Sequence, residues 1–258
     1  MISKIKSIMS YLCFFISEYK SKKKYKKYFD NEYLIHNLEK INEKYLFIFS
    51  KFIYNKQFRL LKHRFERYLN IRNLIEEIQR EKKNINVLEF GVFRGDSYLF
   101  FSKNLNDEKS KIIGIDTFSD FPVSNSKWKR GKFLNTSKKY VLELLEKYNL
   151  KSQNLLIQSS FDNKDLRKKI SDTLNHIDIF HYDCDQYEST VQALEISKNF
   201  ILNQKVSYLL FDDWGCFSDQ VPKAFNEFYE ENNKKIRYEI ISSTFYTMYL
   251  KVTLVQWF

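Results

Sequence analysis

After residue 84 the chain alternates between short apolar runs and longer amphipathic stretches, and this alternation constrains its fold more than any other feature. The short runs are rich in β-branched and aromatic residues, which favours strands, and the longer ones have helical periodicity. Strand–helix alternation is typical of a mostly parallel sheet with helices on both faces. We predict an α/β fold with seven strands near 85–90, 111–116, 154–158, 177–183, 206–212, 236–243 and 246–254, and helices near 96–105, 137–149, 164–171, 187–200 and 219–230.

The net charge of +11 belongs entirely to the start of the chain. Residues 1–72 hold 17 Lys and Arg against 6 Asp and Glu, whereas the remaining residues hold 26 of each. An electrically balanced main domain argues against an enzyme that grips the phosphate backbone of a nucleic acid, and we expect no nucleic-acid partner. We divide the chain into a basic helical extension, 1–82, and an α/β domain, 83–258.

The first 28 residues combine an apolar helical stripe with six lysines between Lys20 and Lys27. The stripe is too short to span a bilayer, which takes about 20 residues. One interpretation is peripheral attachment of residues 1–28 to an anionic membrane, which would place a cytoplasmic protein at the inner face. The alternatives are a solvated lysine run beside a helix that packs on the core of the protein itself, a helical cap over the ligand site, and a contact between copies in a homo-oligomer. Sedimentation with anionic vesicles, comparing the intact chain with one lacking residues 1–28, distinguishes membrane attachment from these alternatives.

The first predicted strand runs into a turn that holds two of only five glycines, Gly91 and Gly95. Glycine permits positive φ and the close approach of another group. The second predicted strand ends in Asp116, whose carboxylate can accept hydrogen bonds from both hydroxyls of a ribose. The pattern is ExGxxxG rather than GxGxxG, and no P-loop is present. Together these residues indicate a nucleoside ligand, S-adenosylmethionine ahead of NAD, with the two glycines approaching its methionine end.

Three carboxylates follow apolar strands that we expect to be neighbours: Asp183, Asp212 and Asp213. Acidic groups that converge at one edge of a sheet repel one another unless protons or a cation intervene. Oxygen-only ligands suit Mg²⁺ or Ca²⁺. The alternative is that Asp213 and the nearby Asp185 cap the helices that follow.

Five strings in this order resemble the successive motifs of the macrocin O-methyltransferase family: EFGVFRGDS, GIDTFSDFP, SSFDNKDL, HYDCDQYEST and LLFDDWGC. That family comprises class I S-adenosylmethionine-dependent enzymes with a Rossmann-like fold, typified by methyltransferases of macrolide sugars. The resemblance implies that Glu89, Gly91, Asp116 and Ser160 contact the cofactor. It also implies that Asp183, Asp212 and Asp213 hold Mg²⁺, as the equivalent acids do in catechol O-methyltransferase.

The sequence departs from the family at the general base. Residues 117–175 contain no histidine, although the macrolide enzymes have a candidate histidine base in this region. Position 186 is Gln rather than the lysine expected by analogy with the catechol enzyme. His181 shares a strand face with Asp183, so we consider both as catalytic residues; the alternative for His181 is a satisfied core histidine.

These features together predict a Mg²⁺-assisted O-methyltransferase that acts on a hydroxyl of a sugar or of a sugar-containing molecule such as a glycan precursor. The alternatives are metal-independent methylation of another small molecule, and a catalytically inactive scaffold in a glycan-assembly complex. The acids argue against the inactive scaffold, because nothing in a scaffold requires them.

Overall fold

The computed structural model describes residues 56–105, 107–119, 136–150, 153–215, 220–244 and 246–255. The chain splits into two compact units, Met1–Leu69 and Asn70–Phe258. The interpretation of residues 1–28 lies outside the described residues and stays a prediction. No helix in the described ranges is long and apolar enough to cross a membrane.

The second unit contains the alternating strands and helices predicted from the sequence. A long helix, α1 (Lys56–Glu81), spans the boundary between the units and ends just before the predicted start of the α/β domain. The elements after it are β1 (Val87–Phe90), α2 (Asp96–Asn104), β2 (Lys111–Asp116), α3 (Lys138–Lys147), β3 (Gln153–Gln158), α4 (Leu166–Ser171), β4 (Ile179–Tyr182), α5 (Tyr187–Leu202), β5 (Val206–Phe211), α6 (Gln220–Asn232), β6 (Ile236–Ser243) and β7 (Met248–Leu254).

The seven strands form one sheet in the order β3-β2-β1-β4-β5-β7-β6. All neighbours are parallel except that β7 runs antiparallel to both β5 and β6. The predicted seven-stranded, mostly parallel sheet is therefore confirmed. The strand order reverses between β1 and β4, and ligands of such sheets bind outside the carboxyl ends at this reversal.

Three aromatic side chains stack across the centre of the sheet, each at the last position of its strand. Phe90, Tyr182 and Phe211 lie in register on β1, β4 and β5. The ring centroids of Phe90 and Tyr182 are 5.4 Å apart, and those of Tyr182 and Phe211 are 4.7 Å apart, with nearly parallel planes. All three are fully buried in the core. The residues that directly follow these strand ends are Gly91, Asp183 and Asp212. The layer therefore places these three residues side by side at the carboxyl edge.

A buried carboxylate, Asp178, joins segments at the opposite end of the sheet. It accepts a hydrogen bond from Asn86 N at 2.8 Å, lies 2.7 Å from His176 Nε2 and pairs with Lys82 Nζ. Burial by itself would raise the pKa of Asp178, but the hydrogen bonds with His176, Lys82 and Asn86 outweigh it and lower the pKa. The ionised form is thus the one that the fold stabilises.

We expect Asp178→Asn to lower the free energy of unfolding at pH 7 by about 1–3 kcal/mol, the usual range for a buried polar group that loses its partner. Because the pKa is lower in the folded state, this stabilisation is present above the unfolded pKa, about 3.9, and is lost as the pH falls through the folded value. Urea unfolding at several pH values should show the two proteins converging in acid. Asp172→Asn, at an exposed position, is the control; an equal loss in both variants would contradict the prediction.

Candidate active site

The two glycines of the first turn are required by close contacts within the protein. Gly91 has φ +88°, and a Cβ there would lie 2.0 Å from the carbonyl oxygen of Asp183. Gly95 has φ +82°, and a Cβ there would lie 2.9 Å from Val141 Cγ1. Gly91 therefore allows the ends of β1 and β4 to touch, and Gly95 allows α2 to begin against α3. Only Gly91 also borders the cavity described below.

Asp116, at the end of β2, holds the turn after β1 in place. Its Oδ2 accepts hydrogen bonds from the backbone N–H groups of Val92 and Phe93, each at 2.8 Å. Its Oδ1 accepts from the backbone N–H of Phe118 at 2.6 Å. A carboxylate offers about four acceptor positions, so about one remains for a ligand. Asp116 therefore has two roles: it stabilises the turn that forms one wall of the cavity, and it borders the cavity itself.

A cavity of about 360 Å³ opens at the carboxyl ends of the central strands, within the usual range for small-molecule sites. Gly91, Asp116, Ser160 and Asp162 border it from the ends of the first three strands. Asp183, Asp185 and the start of α5 border it from β4. Ser160 donates a hydrogen bond to Asp162, beside the cavity. Among the described residues, the lining contains acidic side chains and no Lys, Arg or His.

Two predicted site residues, Glu89 and His181, are fully buried and do not border this cavity. They are register partners on β1 and β4, and His181 Nδ1 lies 2.9 Å from Glu89 Oε1, which also accepts a hydrogen bond from Ser97. Burial would lower the pKa of His181, but the hydrogen bond and charge of Glu89, together with the charges of Asp212 and Asp183, raise it. Glu89 and His181 thus lie below the cavity lining, and their contacts with the cofactor and the substrate stay predictions.

The predicted carboxylates do meet at the carboxyl edge, in two sets. Ligand atoms of His181, Asp183 and Asp212 all lie within 4.8 Å of one another, and His181 Nε2 is 3.8 Å from Asp212 Oδ2. Asp213 is instead hydrogen-bonded to Asp185. Burial raises the pKa of Asp185, and the charge of Asp213, its hydrogen bond and the charges of Asp183 and Asp212 raise it further.

The proposal that Asp185 and Asp213 cap the following helices finds no support. The N-cap residue of α5 is Gln186, and the two residues after Asp213, Trp214 and Gly215, form a turn rather than the start of a helix. Asp185 has φ 59° and Asp213 has φ 57°, a left-handed conformation that is costly for residues other than glycine. Strain of this kind is concentrated at functional sites, which favours a role for this edge in ligand binding.

Comparison with known proteins decides the family. A sequence model of the family described as Macrocin-O-methyltransferase (TylF) matches residues 63–251. The chain belongs to this family. The resemblance read from the motifs is confirmed, and the protein is an S-adenosylmethionine-dependent O-methyltransferase. No curated protein sequence matches the chain.

Solved structures of O-methyltransferases share its fold. The O-methyltransferase NovP is 18% identical, with 72% of this chain and 78% of that chain covered and a TM-score of 0.59. CalS11, a calicheamicin methyltransferase, is 17% identical, with 81% and 91% covered and a TM-score of 0.57. A second structure of CalS11, without ligands and described as a TDP-rhamnose 3'-O-methyltransferase, is 16% identical, with 81% and 93% covered and a TM-score of 0.54.

The cavity of this methyltransferase fits the cofactor by its charge. S-adenosylmethionine carries a sulfonium and an ammonium group, and carboxylates line the cavity without a basic side chain among the described lining residues. The oxygen donors of Asp183 and Asp212 also fit a divalent cation such as Mg²⁺. In this arrangement Asp213 is not one of the converging groups.

One part of the site was missed by the sequence reasoning. Gln186, Ser189 and Gln192 border the cavity from the first two turns of α5. The feature of the sequence that indicates this wall is the three-residue spacing of the polar side chains, which places them on one side of a helix. From the sequence, Gln186 stands out only as a departure from the lysine expected by analogy with the catechol enzyme.

Proposed function

We propose that this methyltransferase acts on a hydroxyl of a sugar or of a sugar-containing small molecule, with Mg²⁺ at the acidic edge. The observation that carries the proposal is the position of Asp183 and Asp212: they close β4 and β5 next to one another, and Asp183 borders the cofactor cavity. The family and the fold shared with NovP and CalS11 support it. A hydroxyl is a poor nucleophile at neutral pH, and a cation held at this edge would activate it by lowering its pKa.

The residues that border the cavity from the ends of the first three strands would bind the cofactor. Asp116 would accept a hydrogen bond from the ribose, while Gly91 lets the backbone come close to the methionine part. Ser160 and Asp162 supply polar groups from the loop after β3. When bound, S-adenosylmethionine supplies an electrophilic methyl group on a sulfonium. The protein contributes the position and line of approach of the acceptor oxygen, which can account for a large part of the rate.

The acids of β4 and β5 would serve the acceptor. Asp183 and Asp212 would hold Mg²⁺, with Asp213 as the third ligand that the family resemblance implies, and the cation would lower the pKa of a hydroxyl bound to it. Asp183 is the catalytic residue that we assign, because it borders the cavity and belongs to the converging carboxylates. His181, behind them, acts as a positioning residue through its contact with Asp212.

We expect Asp116→Ala to weaken binding of S-adenosylhomocysteine at least about tenfold. The variant removes an acceptor for the ribose and also the anchor of Val92 and Phe93, and hydrogen bonds to a charged group contribute about 1.5–3 kcal/mol each. Isothermal titration calorimetry measures the effect, with Asp165→Ala, at an exposed position, as the control. Unchanged affinity would remove Asp116 from the cofactor site. Failure of the unaltered protein to bind S-adenosylhomocysteine would overturn the proposed function itself.

A further inference from the structure

Helix α5 gives the cavity a second polar wall that the cofactor assignments do not use. Gln186, Ser189 and Gln192 border the cavity, and their three-residue spacing places them on one side of the helix. They follow Asp183, the catalytic residue, by three, six and nine positions. This wall therefore begins where the acceptor oxygen has to be held.

Gln186 is held in place but has an unused hydrogen-bonding group. Only 5% of its surface is exposed. Its backbone N–H donates to the carbonyl of Cys184 at 2.6 Å, and its own carbonyl accepts from Thr190 N at 2.9 Å and from Thr190 Oγ1 at 2.7 Å. It is the N-cap residue of α5, yet its side chain makes no capping hydrogen bond. Within the part of the chain that the structure describes, its Nε2 has no hydrogen-bond partner.

A buried amide without a partner destabilises the fold unless something else binds it. Water or a ligand in the adjacent cavity can do so, and the position beside Asp183 favours the methyl acceptor. The amides of Gln186 and Gln192 and the hydroxyl of Ser189 each donate and accept, which matches a hydroxyl group. A phosphate is disfavoured here, because its negative charge would face the carboxyl groups of Asp183, Asp185 and Glu188 at the same wall.

We propose that Gln186 and Ser189 bind the methyl acceptor through its hydroxyl groups, so that the acceptor presents an uncharged, polyhydroxylated ring to α5. This inference rests on the proposed function and adds to it two residues, Gln186 and Ser189, that hold the acceptor beside the reacting oxygen. Gln186 donates a hydrogen bond to one hydroxyl oxygen of the ring, and Ser189 contacts the neighbouring hydroxyl.

Binding of methyl glycosides to the full-length protein saturated with S-adenosylhomocysteine tests the proposal. Saturation-transfer difference NMR would compare methyl rhamnoside, methyl glucoside and methyl galactoside with glucose 1-phosphate and catechol. We expect the glycosides to bind in preference to the other two probes. Gln186→Met should weaken glycoside binding about three- to tenfold, the effect of one lost hydrogen bond. Ser189→Ala, a milder change on the helix surface, should weaken it less.

Gln153→Met is the matched control, because this exposed glutamine begins β3 at the far end of the sheet from the cavity. It should leave glycoside binding unchanged, and all three variants should keep the affinity for S-adenosylhomocysteine within about twofold. Equal glycoside binding by all the proteins, or binding of only glucose 1-phosphate or catechol, would overturn the inference. If the unaltered protein does not bind S-adenosylhomocysteine, the proposed function fails separately. In that case, titration of the glycosides into the cofactor-free protein and its Gln186→Met variant tests the inference, which requires weaker binding by the variant.

Discussion

Chelation with EDTA should lower methyl transfer by on the order of 10³-fold, and added Mg²⁺ should restore it, while S-adenosylhomocysteine still binds. Asp212→Asn should cause a similar loss that Mg²⁺ does not restore. The physical reason is that Asp212 and Asp183 offer converging oxygen ligands, and a cation there stabilises the negative charge that develops on the acceptor oxygen. Methyl transfer from labelled S-adenosylmethionine to a methyl glycoside measures the rate, and calorimetry with Mn²⁺ measures the site itself.

Asp213→Asn separates two versions of this metal site. The family resemblance makes Asp213 a ligand, whereas the structure pairs it with Asp185 and brings His181 to the converging set. If Mn²⁺ affinity falls equally in the Asp212 and Asp213 variants, the resemblance is right. If only Asp212→Asn lowers it, the arrangement seen here is the working one. Full activity in EDTA would favour metal-independent methylation, and cofactor binding without turnover on any acceptor would favour an inactive scaffold.

Much of the fold was readable from the sequence because its determinants are local. The central strands are short apolar runs, and each of the helices α2 to α6 follows from the spacing of its own residues. The place of β7 is different. It lies between β5 and β6 and runs antiparallel to both, an arrangement that depends on pairing between segments distant in the chain. The sequence therefore predicts that the sheet is mostly parallel but not which strand breaks the pattern.

The site residues were predicted less accurately than the fold, because the sequence does not show how deeply each residue is buried. Successive side chains of a strand alternate between faces, so Glu89 and Gly91 share a face, as do His181 and Asp183. Sequence patterns give that face but not the point at which the sheet ends and the cavity begins. The stacked layer of Phe90, Tyr182 and Phe211 sets this point. Glu89 and His181 consequently lie beneath the cavity, whereas Gly91 and Asp183 reach it.

Gly91→Ala should have the largest effect on stability of the substitutions considered, at least about 3 kcal/mol or failure to fold. Alanine is strained at φ +88°, and its Cβ would lie 2.0 Å from the Asp183 carbonyl oxygen. That oxygen belongs to the backbone, which cannot give way easily: Gly91 N donates to Ile115 O, and Asp183 N donates to Phe90 O, both at 2.9 Å. Separating the strand ends would disturb the ladder and move Asp183 at the acidic edge.

Gly95→Ala provides the matched comparison, because its φ of +82° carries similar strain but its Cβ would meet a side chain, Val141, at 2.9 Å. A side chain can shift, so we expect a loss of only about 1–2 kcal/mol there. Urea unfolding of both variants measures the difference, and calorimetry with S-adenosylhomocysteine follows the cofactor site. If Gly91→Ala kept its stability and lost only cofactor affinity, the glycine would serve the ligand rather than the contact between β1 and β4. A larger loss in Gly95→Ala than in Gly91→Ala would contradict the packing account, since the more rigid neighbour must cause the greater disruption.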